Sequence, residues 1–302
     1  VNGLQAGGRW MAGGALVARA PAKVNLSLHI LGRRADGFHA LDSLVAFAGF
    51  GDRLRLTPGD ALSLSVEGPT AQASGDVADN LVLMAARALQ QRCSALRAGA
   101  FRLTKRLPVA AGVGGGSSDA AAALRLLAEL NGIPADDSRL LEAARASGSD
   151  VPVCLDPRAR RMAGTGEIVG PPLHLPALPA VLVNPGVAVS TPAVFRALGL
   201  APGEDAASGA HPLVSAAPTP EALWSLLRET RNDLESPALR IAPVIADVLA
   251  ALRARPGCRL ARMSGSGATV FGLFDTRSRA ALASRELQRL HPAWWVRATV
   301  LR

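Results

Sequence analysis

Residues 107–120 read LPVAAGVGGGSSDA, and four glycines, Gly112, Gly114, Gly115 and Gly116, fall within five positions of it. The segment runs straight into a helical pattern over 117–130, with Leu124, Leu127 and Ala128 on one face. Asn131-Gly132-Ile133-Pro134 supplies the stop. Glycines let backbone N–H groups turn inward and approach a ligand closely, and a helix N-terminus adds unpaired donors and partial positive charge. Such a loop suits a polyphosphate, and the hydroxyls of Ser117 and Ser118 suit phosphate oxygens or a bound Mg2+. Two commoner phosphate loops fit poorly. A Walker A loop ends in Gly-Lys-Ser/Thr, and no lysine follows Lys105; a Rossmann fingerprint needs a third glycine where Ser117 stands.

Upstream, residues 22–31 (AKVNLSLHIL) alternate strictly, with Val24, Leu26, Leu28 and Ile30 on one face and Lys23, Asn25, Ser27 and His29 on the other. This spacing predicts a half-buried strand. The Asp36-Gly37 turn follows, then strand-like stretches at 53–57, 62–66 and 100–105. Helical spacing marks 80–92, 137–146, 221–230 and 243–253, and further strands are predicted at 180–183 and 268–274. Glycines and prolines cluster at 157–172, where a domain boundary is expected, and 201–220 reads as a Pro/Ala/Gly/Ser loop. Strands and helices intermix without a regular βαβ rhythm, which predicts an α+β fold.

The length of 302 residues suits two domains with a full core. A hydrophobic content of 49% argues against disorder. No apolar run approaches the roughly 18 residues of a membrane span, and residues 11–20 lack the charged and apolar regions of a signal peptide. The expectation is a cytoplasmic chain with no membrane partner, residues 1–16 forming a flexible leader and translation starting at Met11. The three cysteines are widely spaced and form no CxxC pair, and the five histidines show no metal-site spacing, so free thiols and no protein-built metal cage are expected. A net charge of +9 invites a nucleic-acid reading. The arginines, however, are scattered among acids without interleaved aromatics, so no nucleic-acid partner is expected, and a basic surface that attracts anionic small molecules explains the charge equally well. Only two of the 33 basic residues are lysines, Lys23 and Lys105.

Three other constellations carry possible chemistry. Lys23 and Asp150 are unremarkable alone, since an aspartate in Ser-Asp-Val-Pro commonly caps a helix or forms a turn. Phosphoryl transfer to an alcohol needs such a pair: a carboxylate to orient the hydroxyl and finally accept its proton, and a cation to steady the charge. Ser264-Gly265-Ser266-Gly267-Ala268-Thr269 is a glycine turn entering an apolar strand, and Asp36-Gly37-Phe38-His39 places an aromatic and a histidine after a turn. Each reads equally well as a simple structural connection.

Taken together, these segments resemble the GHMP kinase superfamily. The Lys23 strand is similar to its first motif, PVAAGVGGGSSDAA at 108–121 to its second, and MSGSGATVFGLF at 263–274 to its third. PAKVNL at 21–26, ADGFH at 35–39, KRLP at 105–108, SDVP at 149–152, NPGVAVSTPAVF at 184–195 and NDLE at 232–235 narrow the resemblance to the branch that phosphorylates a cytidine-diphosphate-linked methylerythritol. It covers most of the chain from about residue 18.

The resemblance implies a two-domain α+β architecture: an N-terminal ribosomal-protein-S5-domain-2-like nucleotide domain over 17–165 and a C-terminal GHMP-type α/β sandwich domain over 166–302. The last strand is left open between its own domain and the first. It implies ATP as phosphoryl donor, Mg2+ held mainly by the nucleotide, and transfer to the 2-hydroxyl of the methylerythritol in non-mevalonate isoprenoid biosynthesis. Asp150 is implied as base, with Lys23 polarising the hydroxyl or steadying Asp150. Pro108, Val109, Ala110, Ala111, Gly112, Val113, Gly114, Gly115, Gly116, Ser117 and Ser118 are implied around the triphosphate, with Asn80 and Lys105 near the adenosine. Phe38 and Phe195 would sandwich the cytosine, a flat π surface, and His39 would read its edge. Asn25, Thr191, Gly265 and Ser266 would face the substrate.

The sequence departs from the family pattern in three places. Ala110 stands where glycine is usual, Phe38 where tyrosine is common, and no acidic Mg2+ ligand stands out beyond Asp150. The expected assembly is a monomer or weak homodimer. A GHMP kinase for homoserine or mevalonate phosphate is the nearest alternative, but those substrates offer no base to stack. A catalytically dead, kinase-like binding protein is a third reading, against which retention of Lys23 and Asp150 speaks.

Overall fold

The structure, a computed structural model, describes residues 9–10, 14–206, 209 and 211–302. The leader reading over 1–8 and 11–13, with the proposed start at Met11, lies outside the described residues. The chain forms two compact units, one from Val1–Ala22, Gly51–Val109 and Gly114–Pro157, the other from Lys23–Phe50, Ala110–Val113 and Arg158–Arg302. Each is described by itself.

In the first unit, β1 (Arg9–Trp10) pairs antiparallel with the start of β2 (Leu16–Arg33). The second half of β3 (His39–Gly59) shows the alternation of a one-sided strand: Leu54 and Leu56 are buried, while Arg53, Arg55 and Thr57 are exposed. Beyond β4 (Ser63–Glu67), the strand β5 (Ala98–Thr104) pairs antiparallel with β3, from Arg53 opposite Thr104 to Gly59 opposite Ala98, and parallel with β4. Among the described residues of the unit, the α-helices are α1 (Leu81–Gln90), α2 (Gly115–Asn131), α3 (Ser138–Ser147) and the short α4 (Val151–Cys154). Asn80 caps α1 by accepting the Val82 N–H at 3.0 Å, and Asp137 caps α3 through the Arg139 N–H at 2.9 Å. Gly132, at φ 64°, ends α2 in the left-handed conformation that glycine adopts at least cost. The buried run Ala120–Ala123 lets α2 approach its neighbours closely.

In the second unit, β6 (Arg160–Gly164) pairs antiparallel with the first part of β3 and with β7 (Ile168–Val169). The strands β8 (Leu178–Asn184), β9 (Cys258–Met263), β10 (Val270–Phe274) and β11 (Trp295–Leu301) form an antiparallel set in the order β11-β8-β10-β9. The unit's helices among the described residues are α5 (Thr191–Arg196), α6 (Pro220–Glu229), α7 (Glu235–Ile241), α8 (Val244–Arg253) and α9 (Arg277–Leu290); α8 and α9 pack on these strands, and α7 packs on α5 and α8. Val181, Val183, Ile245, Leu249, Val270 and Phe274 belong to one buried cluster that also takes in Leu28 and Ile30 of β2.

Several elements differ from the sequence reading. β3 begins at His39 instead of 53, because Leu44, Val45, Ala46, Phe47 and Ala48 are all buried and show no alternation. The polar face of β2 is buried too: Lys23, Asn25, Ser27 and His29 are each at most 4% exposed, so the strand is not half-buried. Its polar atoms find partners inside, with Ser43 donating to Ser27 O at 2.6 Å and Ser27 Oγ 2.5 Å from His211 Nε2. The predicted strand at 268–274 starts at Val270. The helix α9 was not foreseen, since only Ala280, Ala283 and Leu287 mark its buried stripe. Within 201–220, the described residues hold only a bridge between Asp205 and Gly32 before α6 begins at Pro220.

Candidate active site

The glycine-rich segment is shaped by backbone contacts. Gly114 starts α2 at φ 59° and no side chain caps it, so the first N–H groups of α2 meet no side-chain acceptor there. Within 110–113, the Val113 carbonyl accepts the Lys23 N–H at 2.9 Å, the Ala111 carbonyl accepts the Thr269 N–H at 3.1 Å, and the Gly112 carbonyl accepts the Ser264 hydroxyl at 2.8 Å. The second and third sequence motifs are thus stitched together. A Cβ on Gly112 would lie 2.3 Å from Ser264 O, so no other residue fits. Ala110 has φ 50°, alone among the described non-glycine residues in having a positive φ. Pro108 is half-buried, whereas Val109 and Ala110 are exposed. Gly115, Gly116 and Ser117 form the open first turn of α2, but the Ser118 hydroxyl is committed to the Pro21 carbonyl at 2.7 Å.

Of the two residues assigned to the adenosine, Asn80 is half-buried and spends its side-chain oxygen on the α1 cap. Lys105 is buried, with Nζ 2.5 Å from Asp52 Oδ2 and 2.8 Å from Asp119 Oδ2. The sequence reading missed both carboxylates. Asp119 follows the glycine motif directly, but nothing in the spacing connects Asp52 to it.

The residues assigned to the substrate fall into two groups. His39 and Phe195 bring their ring centroids to 4.9 Å at an interplanar angle of 40°, and Phe38 is 64% exposed, an unusual position for a large aromatic. Burial, and then the Arg33 charge, lower the pKa of His39, which keeps the ring neutral at neutral pH. Its Nε2 is buried and has no protein partner. In the second group, Thr191 Oγ1 and Ser266 Oγ are 2.7 Å apart, and the Asn25 N–H donates to Ser264 Oγ at 3.1 Å. Asn25 Nδ2 donates to Ser43 Oγ at 2.7 Å. Gly265 is held from behind by Asn232, whose Nδ2 donates to both Met263 O and Gly265 O at 2.8 Å, while Glu235 Oε2 accepts the Met263 N–H. The NDLE segment therefore braces the turn, a role its sequence did not disclose.

Lys23 sits on the buried face of β2. Asp150 occupies the N-cap position of α4, yet its side chain makes no capping hydrogen bond, so capping does not account for it. Among the described residues, no group of three or more His, Cys, Asp or Glu side chains is arranged to hold a metal ion. No helix among them is long and apolar enough to cross a membrane.

Comparison with known proteins identifies the family. The family model for the GHMP kinases N terminal domain matches residues 80–156, and that for the GHMP kinases C terminal matches 217–293. A relative from Methylobacterium radiotolerans, a 4-diphosphocytidyl-2-C-methyl-D-erythritol kinase, is 62% identical over 95% of this chain and 99% of its own. This chain belongs to the 4-diphosphocytidyl-2-C-methyl-D-erythritol kinase family of GHMP kinases. A further member of that family, from Bradyrhizobium diazoefficiens, is 54% identical over 95% of this chain and 98% of its own. The crystal structure of a 4-(cytidine 5'-diphospho)-2C-methyl-D-erythritol kinase superposes with a TM-score of 0.72 at 35% identity, covering 94% of this chain and 98% of that one. A homoserine kinase from Cytophaga hutchinsonii shares the fold, with a TM-score of 0.68 at 18% identity. The two-domain GHMP kinase architecture read from the motifs is thus borne out.

Proposed function

We propose that this chain transfers the γ-phosphoryl group of ATP to the 2-hydroxyl of 4-diphosphocytidyl-2-C-methyl-D-erythritol, a step of non-mevalonate isoprenoid biosynthesis. The hydroxyl oxygen forms the new bond to the γ-phosphorus, the bond to the β–γ bridging oxygen breaks, and ADP leaves with that oxygen. Asp150 orients the hydroxyl and takes its proton late, because a carboxylate is too weak a base to deprotonate a free alcohol beforehand. Lys23 steadies the developing charge. The loop from Pro108 to Ser118 receives the triphosphate through its backbone N–H groups and the uncapped start of α2, with Asn80 and Lys105 on the adenosine side. Mg2+ accompanies the nucleotide, held mainly by its phosphates.

The observation that carries the substrate assignment is the His39–Phe195 contact, 4.9 Å between centroids, in a unit that also exposes Phe38. Homoserine and mevalonate have no base to occupy an aromatic clamp. In this reading Phe38 and Phe195 stack on the cytosine and His39 reads its edge, while Asn25, Thr191, Gly265 and Ser266 hold the polyol and diphosphate. The test is a coupled assay of ADP release with the cytidyl substrate and with homoserine. Turnover with the first is expected, with Asp150→Asn lowering kcat by a factor on the order of 10²–10⁴ and Phe38→Ala raising the KM for the cytidyl substrate. Turnover with homoserine alone would overturn the assignment.

A further inference from the structure

In the first unit, one ammonium is buried against two carboxylates: Lys105 is 4%, Asp52 1% and Asp119 2% exposed. A buried ion pair is weak evidence for stability, because desolvation offsets most of the attraction; such groups are better attested where they fix a geometry. The geometry here is specific. Asp52 Oδ1 accepts the N–H groups of Arg106 at 2.5 Å and Leu107 at 2.8 Å, where the chain leaves β5 for the glycine-rich loop. Its other oxygen, Oδ2, takes Lys105 Nζ at 2.5 Å. The same ammonium reaches Asp119 Oδ2 at 2.8 Å, five residues into α2, and a Cβ on Gly115 would lie only 3.5 Å from it. One carboxylate of β3 therefore holds the entrance of the loop directly and the start of α2 through a single lysine.

We propose that Asp52, Lys105 and Asp119 act as one positioning unit for the nucleotide, Asp52 setting where the loop begins and, through Lys105, where α2 presents its uncapped N–H groups. Donors aimed at phosphate oxygens must be held within about half an ångström of their working positions, and glycines supply no stiffness of their own. The proposal rests on the reading of this loop as the triphosphate site. Burial pushes the Asp119 carboxyl well above the usual carboxylate range and the Lys105 charge opposes that shift, so the three groups titrate together and the geometry carries the proposal. Desolvation works against the Lys105 charge, but Asp119 and Asp52 outweigh it and raise the pKa, so the lysine remains an ammonium able to bridge them.

The experiment is a titration with a non-hydrolysable ATP analogue of the full chain and of Asp52→Asn, Lys105→Met, Asp119→Asn and the double variant Asp52→Asn/Lys105→Met, together with KM and kcat for both substrates. Each single variant is expected to weaken analogue binding on the order of tenfold, the scale of one lost charge-assisted buried hydrogen bond. KM for ATP should rise while KM for the cytidyl substrate stays put, a split that general loss of fold would not produce. The double variant should be no weaker than the singles, as members of one unit are not additive. Independent, multiplying effects of Asp52→Asn and Lys105→Met would overturn the proposal. So would unchanged affinity in Asp119→Asn, which leaves the entrance contacts of Asp52 intact and decides the matter if Asp52→Asn does not fold. Analogue binding by the wild type with unaffected variants removes the positioning unit alone; no binding by the wild type removes the triphosphate reading beneath it.

Discussion

The Ser264 hydroxyl donates to the Gly112 carbonyl at 2.8 Å across 152 residues of sequence, and the same oxygen accepts the Asn25 N–H at 3.1 Å. Ser264 is fully buried, so both bonds are made away from water. One hydroxyl thereby joins β2, the glycine-rich segment and the turn before β10, each of which carries one of the three sequence motifs. Segments far apart in the chain are thus tied together by a single side chain.

Gly112→Ala should be among the most damaging single methyl additions. The new Cβ would stand 2.3 Å from Ser264 O and 2.9 Å from both Gly267 N and Gly267 O, and the backbone at φ 72° is itself unfavourable for alanine. Overpacking and left-handed strain together cost about 3 kcal/mol or more. Gly132→Ala has a similar φ of 64° but nothing within 4 Å, so urea unfolding should show a loss of only about 1 kcal/mol. Equal losses in the two variants would mean that the packing around Gly112 is loose.

Ala110→Gly should move stability the other way. Ala110 is exposed and holds φ 50°. Relief of roughly 1–2 kcal/mol of left-handed strain exceeds the roughly 0.5–1 kcal/mol entropic penalty of glycine. Urea denaturation should therefore give a midpoint slightly above wild type, a net gain on the order of 0.5 kcal/mol.

These two positions also mark what could be read in advance. The glycine density of 112–116 and the alternation of β2 expose their roles because each rests on local chemistry, backbone freedom in one and period two in the other. Ala110 was visible as a departure, but its positive φ was not, since the conformation is imposed by the loop and not by alanine. Asp52, Asp119, Ser43, Ser264 and Asn232 act through partners many residues away, and a residue whose meaning lies in a distant partner carries no local pattern. The first part of β3 went unread for a different reason: buried on both faces, it loses the alternation by which a strand is recognised.

Arg262 should prove essential to the second unit although no motif contains it. It is 7% exposed, and its guanidinium donates to Leu26 O at 2.6 Å, Leu227 O at 2.8 Å and Thr230 O at 2.5 Å. Burial pushes its pKa down to about 10, still well above neutrality. Arg262→Met leaves those carbonyls without their donor and should cost about 3 kcal/mol in chemical denaturation. Arg262→Lys, a point charge in place of a planar fork, should recover only part of the loss.

Stability should fall in mild acid because of two buried histidines, His29 and His211, and the half-buried His39. Burial is the first cause that lowers the pKa of His29, His39 and His211 below the ordinary 6.5. For each, the unfolded chain takes up a proton as pH drops through about 6.5, while the folded protein resists until its own lower pKa is reached. In that window the unfolded state binds more protons, so unfolding free energy declines as pH falls and is restored as pH rises above 6.5. His211 has the most to lose, as its Nε2 lies 2.5 Å from Ser27 Oγ, its Nδ1 2.7 Å from Pro212 O and its ring centroid 4.9 Å from that of His29. Urea melts of the wild type should be flat between pH 7 and 8 and weaken steadily below about 6.5. His211→Gln keeps a hydrogen-bonding side chain without the titration, so its pH dependence should be shallower. An identical slope in the variant would place the acid sensitivity elsewhere.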